Sequence, residues 1–339
     1  MITRSELRVH TISDFNSWQE QLSHAITSPE QLLSLLGLDS NLLPDALRAN
    51  QEFSLRVPHS FVARMERGNP DDPLLRQILP LGKECQPSEG YSLDPLAEQS
   101  QSPCEGVIHK YKGRLLLIPS SACAINCRFC FRRHFPYGDN QLGGEKWQQS
   151  IDYIAADSSI KEVILSGGDP LATNDKRLKK MMDALSTIDH VETLRIHTRF
   201  PIIIPERITD ELLGWIAGSR LKPVMVIHCN HPREINESVN DALAKLHKAG
   251  VVLLNQSVLL RGVNDNAGTL VDLSQALFHA GVLPYYLHLL DSVHGTAHFN
   301  VPETEALQLM DEFMALCPGY LVPRLVREVP GEPCKTRIR

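Results

Sequence analysis

Residues 115–130 read LLLIPSSACAINCRFC and join an apolar run of strand length to a cysteine-rich loop. Cys123, Cys127 and Cys130 follow the run in a C-x3-C-x2-C pattern. Three thiolates in so short a loop can converge on one side of an iron–sulfur cube, and they leave the fourth iron without a protein ligand. The stretch therefore predicts a strand that ends in a cluster-binding loop.

Two alternatives for this loop stay open. One is a structural zinc site with His134 as the fourth ligand, and the other is chance spacing of buried cysteines. Zinc sites more often use paired C-x2-C units. The remaining cysteines stand singly, at positions 85, 104, 229, 317 and 334. The spacing therefore favours a cluster.

Apolar runs of strand length recur through the rest of the chain. They lie at 115–119, 162–166, 192–197, 223–228, 251–258 and 284–290. Amphipathic segments of helix length lie between them, for example at 176–185, 205–217, 235–249 and 269–280. A unit of about thirty residues is what a strand, a crossover helix and two turns require. The pattern predicts an α/β fold with six parallel strands in a barrel or partial barrel, and functional side chains at their carboxyl ends.

The first hundred residues follow another pattern. Apolar residues at helical spacing predict helices within 18–36, 41–52 and 58–67, and residues 86–106 are rich in Pro, Ser, Gly and Glu. We expect a helical N-terminal extension and connector over 1–105, and a barrel with a C-terminal lysine loop over 106–339. The pattern indicates that the extension is a helical elaboration rather than the chemical centre.

Composition excludes several classes of protein. The chain has 339 residues and a net charge of −6, which argues against nucleic-acid binding driven by bulk charge. No apolar run approaches the length of a transmembrane helix, and the first residues lack a signal-peptide pattern. Eight cysteines in such a chain are expected to be reduced, so we expect a cytoplasmic protein with no membrane contact.

Polar residues at predicted strand ends add candidate binding groups. Residues 166–170 read SGGDP, whose glycines let a ligand approach the backbone, although a plain βα turn would look the same. Arg132 can hold a carboxylate by two parallel hydrogen bonds. Asp291 and Glu328 are carboxylates that could bind a terminal ammonium group.

A second group of polar residues lies at the start and near the end of the predicted barrel. Lys110, Tyr111 and Arg114 suit a phosphate group, although a solvated basic turn is an equal alternative. Gln256 lies between apolar runs and would need a partner at the strand end. Lys335 lies close to the last residue, where a surface lysine is the ordinary expectation.

Five motifs taken together resemble one family. CRFCFRRHF, LSGGDPL, RIHTRFP, NQSVLLRGVND and GEPCKT occur in the order found in radical S-adenosylmethionine lysine 2,3-aminomutases, and the resemblance spans about 109–335. The variants RRHFPY and GEPCK look most like the branch that makes (R)-β-lysine for elongation factor P. The resemblance implies a partial (β/α)6 barrel of the radical S-adenosylmethionine type with an N-terminal helical extension.

The resemblance also implies three cofactors and a set of site residues. The cofactors are a [4Fe-4S] cluster, S-adenosylmethionine and pyridoxal 5′-phosphate, with Lys335 as the catalytic lysine that bonds to pyridoxal phosphate. Implied cluster ligands are Cys123, Cys127 and Cys130. Implied cofactor-binding residues are Lys335, Lys110, Tyr111, Arg114, Ser166, Gly167, Gly168, Asp169 and Gln256. Implied substrate-binding residues are Arg132, Asp291 and Glu328.

The function implied is an isomerase that converts L-lysine to (R)-β-lysine by a radical 1,2-amino shift. Its partners would be lysine and, functionally, elongation factor P with its β-lysine ligase; an oligomer is possible. One alternative is an aminomutase of another amino acid such as glutamate, although paired carboxylates at Asp291 and Glu328 argue against an acidic side chain. A second alternative is a non-catalytic metal-binding protein that docks on a translation factor.

Overall fold

The computed structural model describes residues 9–10, 14–136 and 144–339, so Tyr137 of the RRHFPY motif lies outside the described residues. Its centre is a nine-stranded sheet whose strands follow one another in sequence order. The strands are β1 (Val107–Tyr111), β2 (Arg114–Ser120), β3 (Glu162–Gly167), β4 (Thr193–Thr198), β5 (Lys222–His228), β6 (Val252–Val258), β7 (Leu283–His288), β8 (Arg324–Arg327) and β9 (Thr336–Arg337).

Seven of these strands form the barrel wall. Strands β2 to β8 pair in parallel, whereas β1 and β9 pair antiparallel at the two edges. Among the described residues no pairing joins β1 to β9, so the barrel is open. The predicted α/β partial barrel is confirmed.

The helices are α1 (Trp18–Ser23), α2 (Pro29–Leu36), α3 (Leu43–Glu52), α4 (His59–Val62), α5 (Pro73–Arg76), α6 (Gly144–Ala156), α7 (Asp175–Ser186), α8 (Phe200–Ile203), α9 (Asp210–Ala217), α10 (Glu237–Lys248), α11 (Ala267–His279) and α12 (Glu303–Leu316). Asparagine begins three of the crossover helices: the side chains of Asn174, Asn236 and Asn266 accept a backbone N–H from the first turn of α7, α10 and α11. Such caps fix where the chain leaves the loop above each strand. None of the described helices has the length and apolar character needed to cross a bilayer.

The six predicted strands correspond to β2 to β7, and the predicted helices between them are present with small shifts at their ends. Three strands were missed. Strand β8 has four residues with exposed arginines at both ends, so its apolar signal is too short to recognise. Of the predicted helix at 58–67, only His59–Val62 is helical.

The N-terminal helices pack directly on the barrel. Trp18 of α1 meets Phe200 of α8 edge to face at 5.8 Å, and both belong to an apolar cluster that also contains Leu117 of β2 and Val163 of β3. The 1–105 and 106–339 segments therefore share one core. A division into two domains at that point stays a prediction.

Candidate active site

One cavity of about 580 Å³ opens at the carboxyl ends of the parallel strands. Every site residue implied by the family resemblance lines it: Lys110, Tyr111, Arg114, Cys123, Cys127, Cys130, Arg132, Ser166, Gly167, Gly168, Asp169, Gln256, Asp291, Glu328 and Lys335. The fold thus brings together groups that are more than two hundred residues apart in the sequence. The contacts of each group indicate its role.

The cysteine loop is held by the N-terminal extension. The backbone N–H of Arg128 donates to the carbonyl of Gln77 at 2.9 Å, and that of Asn126 donates to the carbonyl of Arg56 at 3.0 Å. The buried Arg128 guanidinium pairs with the buried Glu84 carboxylate, with its Nε 2.9 Å from Oε1. The extension therefore forms one wall behind the loop.

The three thiols influence one another. Burial, Asp169 and the other two cysteines raise the pKa of Cys123 well above its usual value, and burial with Cys127 raises the pKa of Cys130 to about 11. Such thiols ionise together only when a cation compensates their charge, as the irons of a cluster do. The donor set therefore fits an iron–sulfur cluster.

The zinc alternative finds no support in the described part of the chain. No three His, Cys, Asp or Glu side chains there are grouped to hold a single metal ion. The Nε2 atom of His134 lies 3.4 Å from the carbonyl oxygen of His294. Cys123, Cys127 and Cys130 all line the cavity, and thiolates of this kind are the ligands of iron–sulfur clusters.

The two glycines of the SGGDP turn are required by packing of the chain on itself. Gly167 has φ +114°, and a Cβ there would lie 2.6 Å from Cγ2 of Ile118. A Cβ on Gly168 would lie 2.7 Å from the carbonyl oxygen of Ala122 in the cysteine loop. Larger residues would push these two loops apart. The glycines therefore place the turn against the cysteine loop, in addition to any approach by a ligand.

Asp169 ties this turn to the end of the next strand. Its Oδ1 accepts hydrogen bonds from the backbone N–H of Leu171 at 3.0 Å and from the Thr198 hydroxyl at 2.7 Å. Its Oδ2 accepts the backbone N–H of Arg199 at 2.7 Å. Burial raises the pKa of Asp169 to about 6, against these hydrogen bonds. The observed contacts make Asp169 a residue that holds the loops in place, and its contact with a cofactor stays a prediction.

Arg132 meets a carboxylate that sequence reasoning missed. Its Nε lies 2.6 Å from Oε2 of Glu98, and its Nη2 lies 2.9 Å from Oε1 of the same residue. The Nη1 of Arg132 donates to the Ser166 hydroxyl at 3.2 Å. Burial opposes ionisation of Glu98, but Arg132 and Lys110 hold its pKa below the usual value. Glu98 is therefore an anion within the cavity, and it comes from the connector.

The lysine loop enters the cavity through a hairpin. Arg327 pairs with Thr336 in the antiparallel β8–β9 ladder, which places Glu328 opposite Lys335. The Nζ of Lys335 lies 2.5 Å from Oε2 of Glu328. Lys335 is thus fixed at the cavity wall and is not a free surface lysine.

Glu328 also binds a second lysine. The Nζ of Lys110 lies 2.8 Å from Oε1 of Glu328 and 2.9 Å from Oε1 of Glu98. Burial raises the pKa of Glu328, but Lys335 and Lys110 outweigh it and hold the pKa well below the usual range. The two carboxylates and the lysines form one continuous network of charges.

The wall beside this network has flat and cationic groups. The guanidinium of Arg114 lies over the ring of Tyr111 at 4.5 Å, and burial with Glu328 raises the pKa of that phenol. In the described part of the chain the buried Nε2 atoms of His197 and His228 have no hydrogen-bond partner, and both residues line the cavity. Unpaired buried polar atoms of this kind are typical of a wall that contacts a polar ligand. The residues therefore fit pyridoxal phosphate.

Asp291 and Gln256 lie at the ends of neighbouring strands. Gln256 of β6 pairs in register with Tyr286 of β7, and Asp291 follows three residues after β7 ends at His288. Burial and the charge of Glu328 raise the pKa of Asp291 to about 7. An incoming ammonium group would favour the charged carboxylate. The position of Asp291 is therefore suited to a cationic substrate group.

Sequence reasoning missed Glu98 because a single glutamate in a connector rich in Pro and Ser carries no pattern. Arg199 lies within the RIHTRFP motif, but the sequence alone indicates no role for it. Arg199 donates from Nη1 to the Sγ of Cys127 at 2.8 Å. For Arg199 the signal is a charged side chain at a strand end, and only the contacts identify its partner.

Comparison with known proteins identifies the family. Residues 112–197 match the family model described as a 4Fe-4S single cluster domain. L-lysine 2,3-aminomutase of Escherichia coli (strain K12) is 52% identical over 320 residues, which cover 94% of this chain and 93% of that protein. The Haemophilus influenzae protein of the same name is 48% identical over 96% of both chains, and that of Clostridium subterminale is 33% identical over 96% of this chain and 78% of its own.

Two solved structures are less similar than these relatives. A radical SAM methyltransferase from Sphaerobacter thermophilus has a TM-score of 0.45 and 15% identity, and covers 65% of this chain and 68% of its own. Coproporphyrinogen III oxidase (HemN) from Escherichia coli has a TM-score of 0.39 and 12% identity, and covers 69% and 56% of the two chains. The sequence relatives carry the assignment, because an identity of about half over nearly the whole of both chains shows that this chain belongs to the L-lysine 2,3-aminomutase family.

Proposed function

We propose that this protein converts L-lysine to (R)-β-lysine, and that the product serves the modification of elongation factor P. As a member of its family the protein is an isomerase, and its cofactors are a [4Fe-4S] cluster, S-adenosylmethionine and pyridoxal phosphate. The observation that carries the proposal is one cavity whose lining combines three cysteine thiols with a lysine among carboxylates.

The two ends of a lysine molecule carry opposite charges, and the cavity offers a partner for each. Arg132 would bind the α-carboxylate with its planar guanidinium, which Glu98 holds in a fixed orientation. Asp291 and Glu328 would bind the ε-ammonium group. A site built for a buried charge rejects an analogue that lacks it, since its own groups are then left unpaired.

The chain's residues would hold the cofactors as follows. Cys123, Cys127 and Cys130 would bind the cluster, and Lys335 would bond to pyridoxal phosphate, with Lys110 and Arg114 close to its phosphate. The cofactors supply the radical and the electron sink that a 1,2-amino shift needs. The protein's own part is to orient the substrate between them and to keep water out.

The network around Lys335 supports catalysis over passive metal binding. A protein that only docks on a translation factor has no need for Lys335 and Lys110 to share a mostly buried carboxylate. Burying such charges costs free energy, which a binding site recovers when its ligand arrives. The carboxylates Asp291 and Glu328 likewise favour lysine over glutamate as substrate.

The test is an anaerobic assay of the protein loaded with iron, sulfide and pyridoxal phosphate. L-lysine, S-adenosylmethionine and dithionite are added, and the product is analysed by chiral chromatography. We expect (R)-β-lysine from lysine and no product from glutamate. An equal or higher rate with glutamate, or no β-amino acid from either, would contradict the proposal.

The link to elongation factor P rests on the RRHFPY and GEPCK variants quoted above, and a cytoplasmic location is proposed with it. The product is incubated with elongation factor P and its β-lysine ligase, and the mass of the factor is measured. We expect the added mass of one β-lysyl group. The same mass gain with (S)-β-lysine, at an equal rate, would argue against the stereochemical part of the proposal.

A further inference from the structure

We propose that Arg199 raises the reduction potential of the cluster through a charge-assisted hydrogen bond to the sulfur of Cys127. The inference rests on the proposed function for the presence of the cluster. It assigns a role to Arg199 of the RIHTRFP motif, which substrate and cofactor binding leave unexplained.

The contact is direct and its donor is fixed. The Nη1 of Arg199 lies 2.8 Å from Sγ of Cys127, and the residue is 6% exposed. Its Nη2 donates to Oε1 of Gln77 at 2.6 Å and to Oε2 of Glu234 at 2.9 Å. The backbone N–H of Arg199 donates to Asp169 at 2.7 Å. Partners on both sides therefore aim one edge of the guanidinium at the sulfur.

Glu234 is held as firmly as the arginine. It is fully buried, and its Oε1 accepts the side-chain amide of Gln77 at 3.0 Å and the backbone N–H groups of Asn230 at 3.0 Å and His231 at 3.1 Å. Arg199 and Glu234 together carry no net charge. Their order in space puts the positive member beside the thiolate and the negative member behind it.

This arrangement favours the reduced cluster. The oxidised cluster gains one electron from a one-electron donor, and the added negative charge spreads over iron and sulfur. An N–H group and a cation next to a ligand sulfur stabilise the extra charge, and the effect is strong where water is excluded. Arginine stays protonated in proteins, so the donor beside Cys127 keeps its positive charge.

The test compares two double variants, each of which replaces a buried pair of oppositely charged residues and so leaves the net charge unchanged. Arg199→Gln with Glu234→Gln removes both charges beside Cys127 and leaves polar side chains of similar size. Arg207→Gln with Asp175→Asn does the same to a buried pair, whose Nη2–Oδ1 distance is 2.9 Å and which does not line the cavity. Each variant is loaded with the cluster in the absence of lysine. Its iron content is measured by chemical analysis, and its midpoint potential is measured by EPR-monitored titration with dithionite.

Because this variant loses the charge-assisted hydrogen bond to Cys127, we expect its reduction equilibrium to fall at least about tenfold. That is a fall of about 59 mV for one electron, and the control pair should move the potential much less. Glu234→Gln alone keeps Arg199 and should raise the potential or leave it unchanged. An unchanged potential in a fully loaded Arg199/Glu234 variant would overturn the inference, as would an equal shift in the control.

The single Glu234→Gln variant keeps the inference open to disproof if the double variant takes up no iron. A lower potential in that single variant would then overturn it. A wild-type protein that binds no cluster contradicts the proposed function instead. A loaded wild-type protein that fails to turn over lysine, but shows the shift, would leave the inference in place.

Discussion

We call the part of the cavity lined by Cys123, Cys127 and Cys130 its cysteine end, and the part lined by Lys110, Glu328 and Lys335 its lysine end. The two ends are built differently. At the cysteine end, buried carboxylates accept backbone N–H groups as well as side-chain donors, as Asp169 does from Leu171, Thr198 and Arg199. At the lysine end, long charged side chains from distant segments bind one another. The first end is a rigid frame, and the second is a network of charges.

The difference indicates how each end meets its ligand. A cluster needs three sulfurs at fixed positions, which hydrogen-bonded loops provide. The lysine network shares its carboxylates: Glu328 binds both Lys335 and Lys110. One lysine can therefore turn to a ligand while the carboxylate keeps the other, and no buried charge is left unpaired.

The largest effect is expected from Cys127→Ala. The variant should lose cluster iron and all turnover, because the remaining two thiols cannot hold the cube. Absorbance of bound pyridoxal phosphate should stay nearly intact, since Lys335 lies at the other end. Iron analysis and visible spectra check this. Full iron content with normal activity would disprove the ligand assignment.

Lys335→Ala, at the lysine end of the cavity, should abolish turnover of lysine. The protein should still bind pyridoxal phosphate through Lys110 and Arg114, but borohydride should no longer fix the cofactor to the chain. Mass spectrometry of the reduced protein locates any link. The iron content should equal that of the wild type, and a cofactor fixed to another lysine would show that the catalytic residue is misplaced.

Asp291→Asn tests the ammonium partner at the lysine end. Loss of one charge-assisted hydrogen bond costs about 1.5–3 kcal/mol, so turnover of lysine should fall roughly ten- to a hundredfold. An uncharged isostere of lysine serves as the control substrate, and its turnover should not fall. Equal losses on both substrates would rule out an ammonium-binding role.

Glu98→Gln tests whether Glu98 of the connector positions Arg132, the residue that would bind the α-carboxylate of lysine. Glutamine cannot accept all three hydrogen bonds from Arg132 and Lys110, so we expect KM for lysine to rise about tenfold with a smaller change in kcat. Glu105→Gln is the matched control, because Glu105 pairs with Lys146 on the surface, where such pairs contribute little. A loss in kcat alone would argue against a role in substrate binding.

The smallest effect is expected from pH. Burial and Glu328 raise the pKa of Asp291 to about 7, so the carboxyl is neutral below that pH and charged above it. KM for lysine should therefore fall several-fold between about pH 6 and pH 8, and Asp291→Asn should lack this change. In the ligand-free protein the same group contributes stability at low pH that is lost as the pH rises through 7. Kinetics across this range measure the change in KM, and urea unfolding at two pH values measures the change in stability.

Much of this protein could be predicted because its signals are local. Six strands and their crossover helices follow from apolar runs at a regular spacing, and the cysteine loop follows from three residues within eight positions. The carboxyl ends of parallel strands meet at one edge, so residues such as Gln256 and Asp291 could be placed near one another without coordinates.

Contacts between distant segments could not be predicted in the same way. Glu98 reaches Arg132 and Lys110 from a connector without periodicity, and Glu84 and Gln77 support the cysteine loop from the N-terminal extension. A single charged residue has many possible partners in a sequence. Only the folded chain selects one of them.

The sequence by itself determined the α/β class, the strand order and the cluster motif, because each depends on spacing along the chain. The tertiary structure alone decided which charges meet: Glu328 with Lys335, Glu98 with Arg132, and Arg199 with Cys127. The physical reason is that electrostatic pairing in a buried cavity depends on distance and on exclusion of water. Neither quantity exists until the strands and the N-terminal helices have packed together.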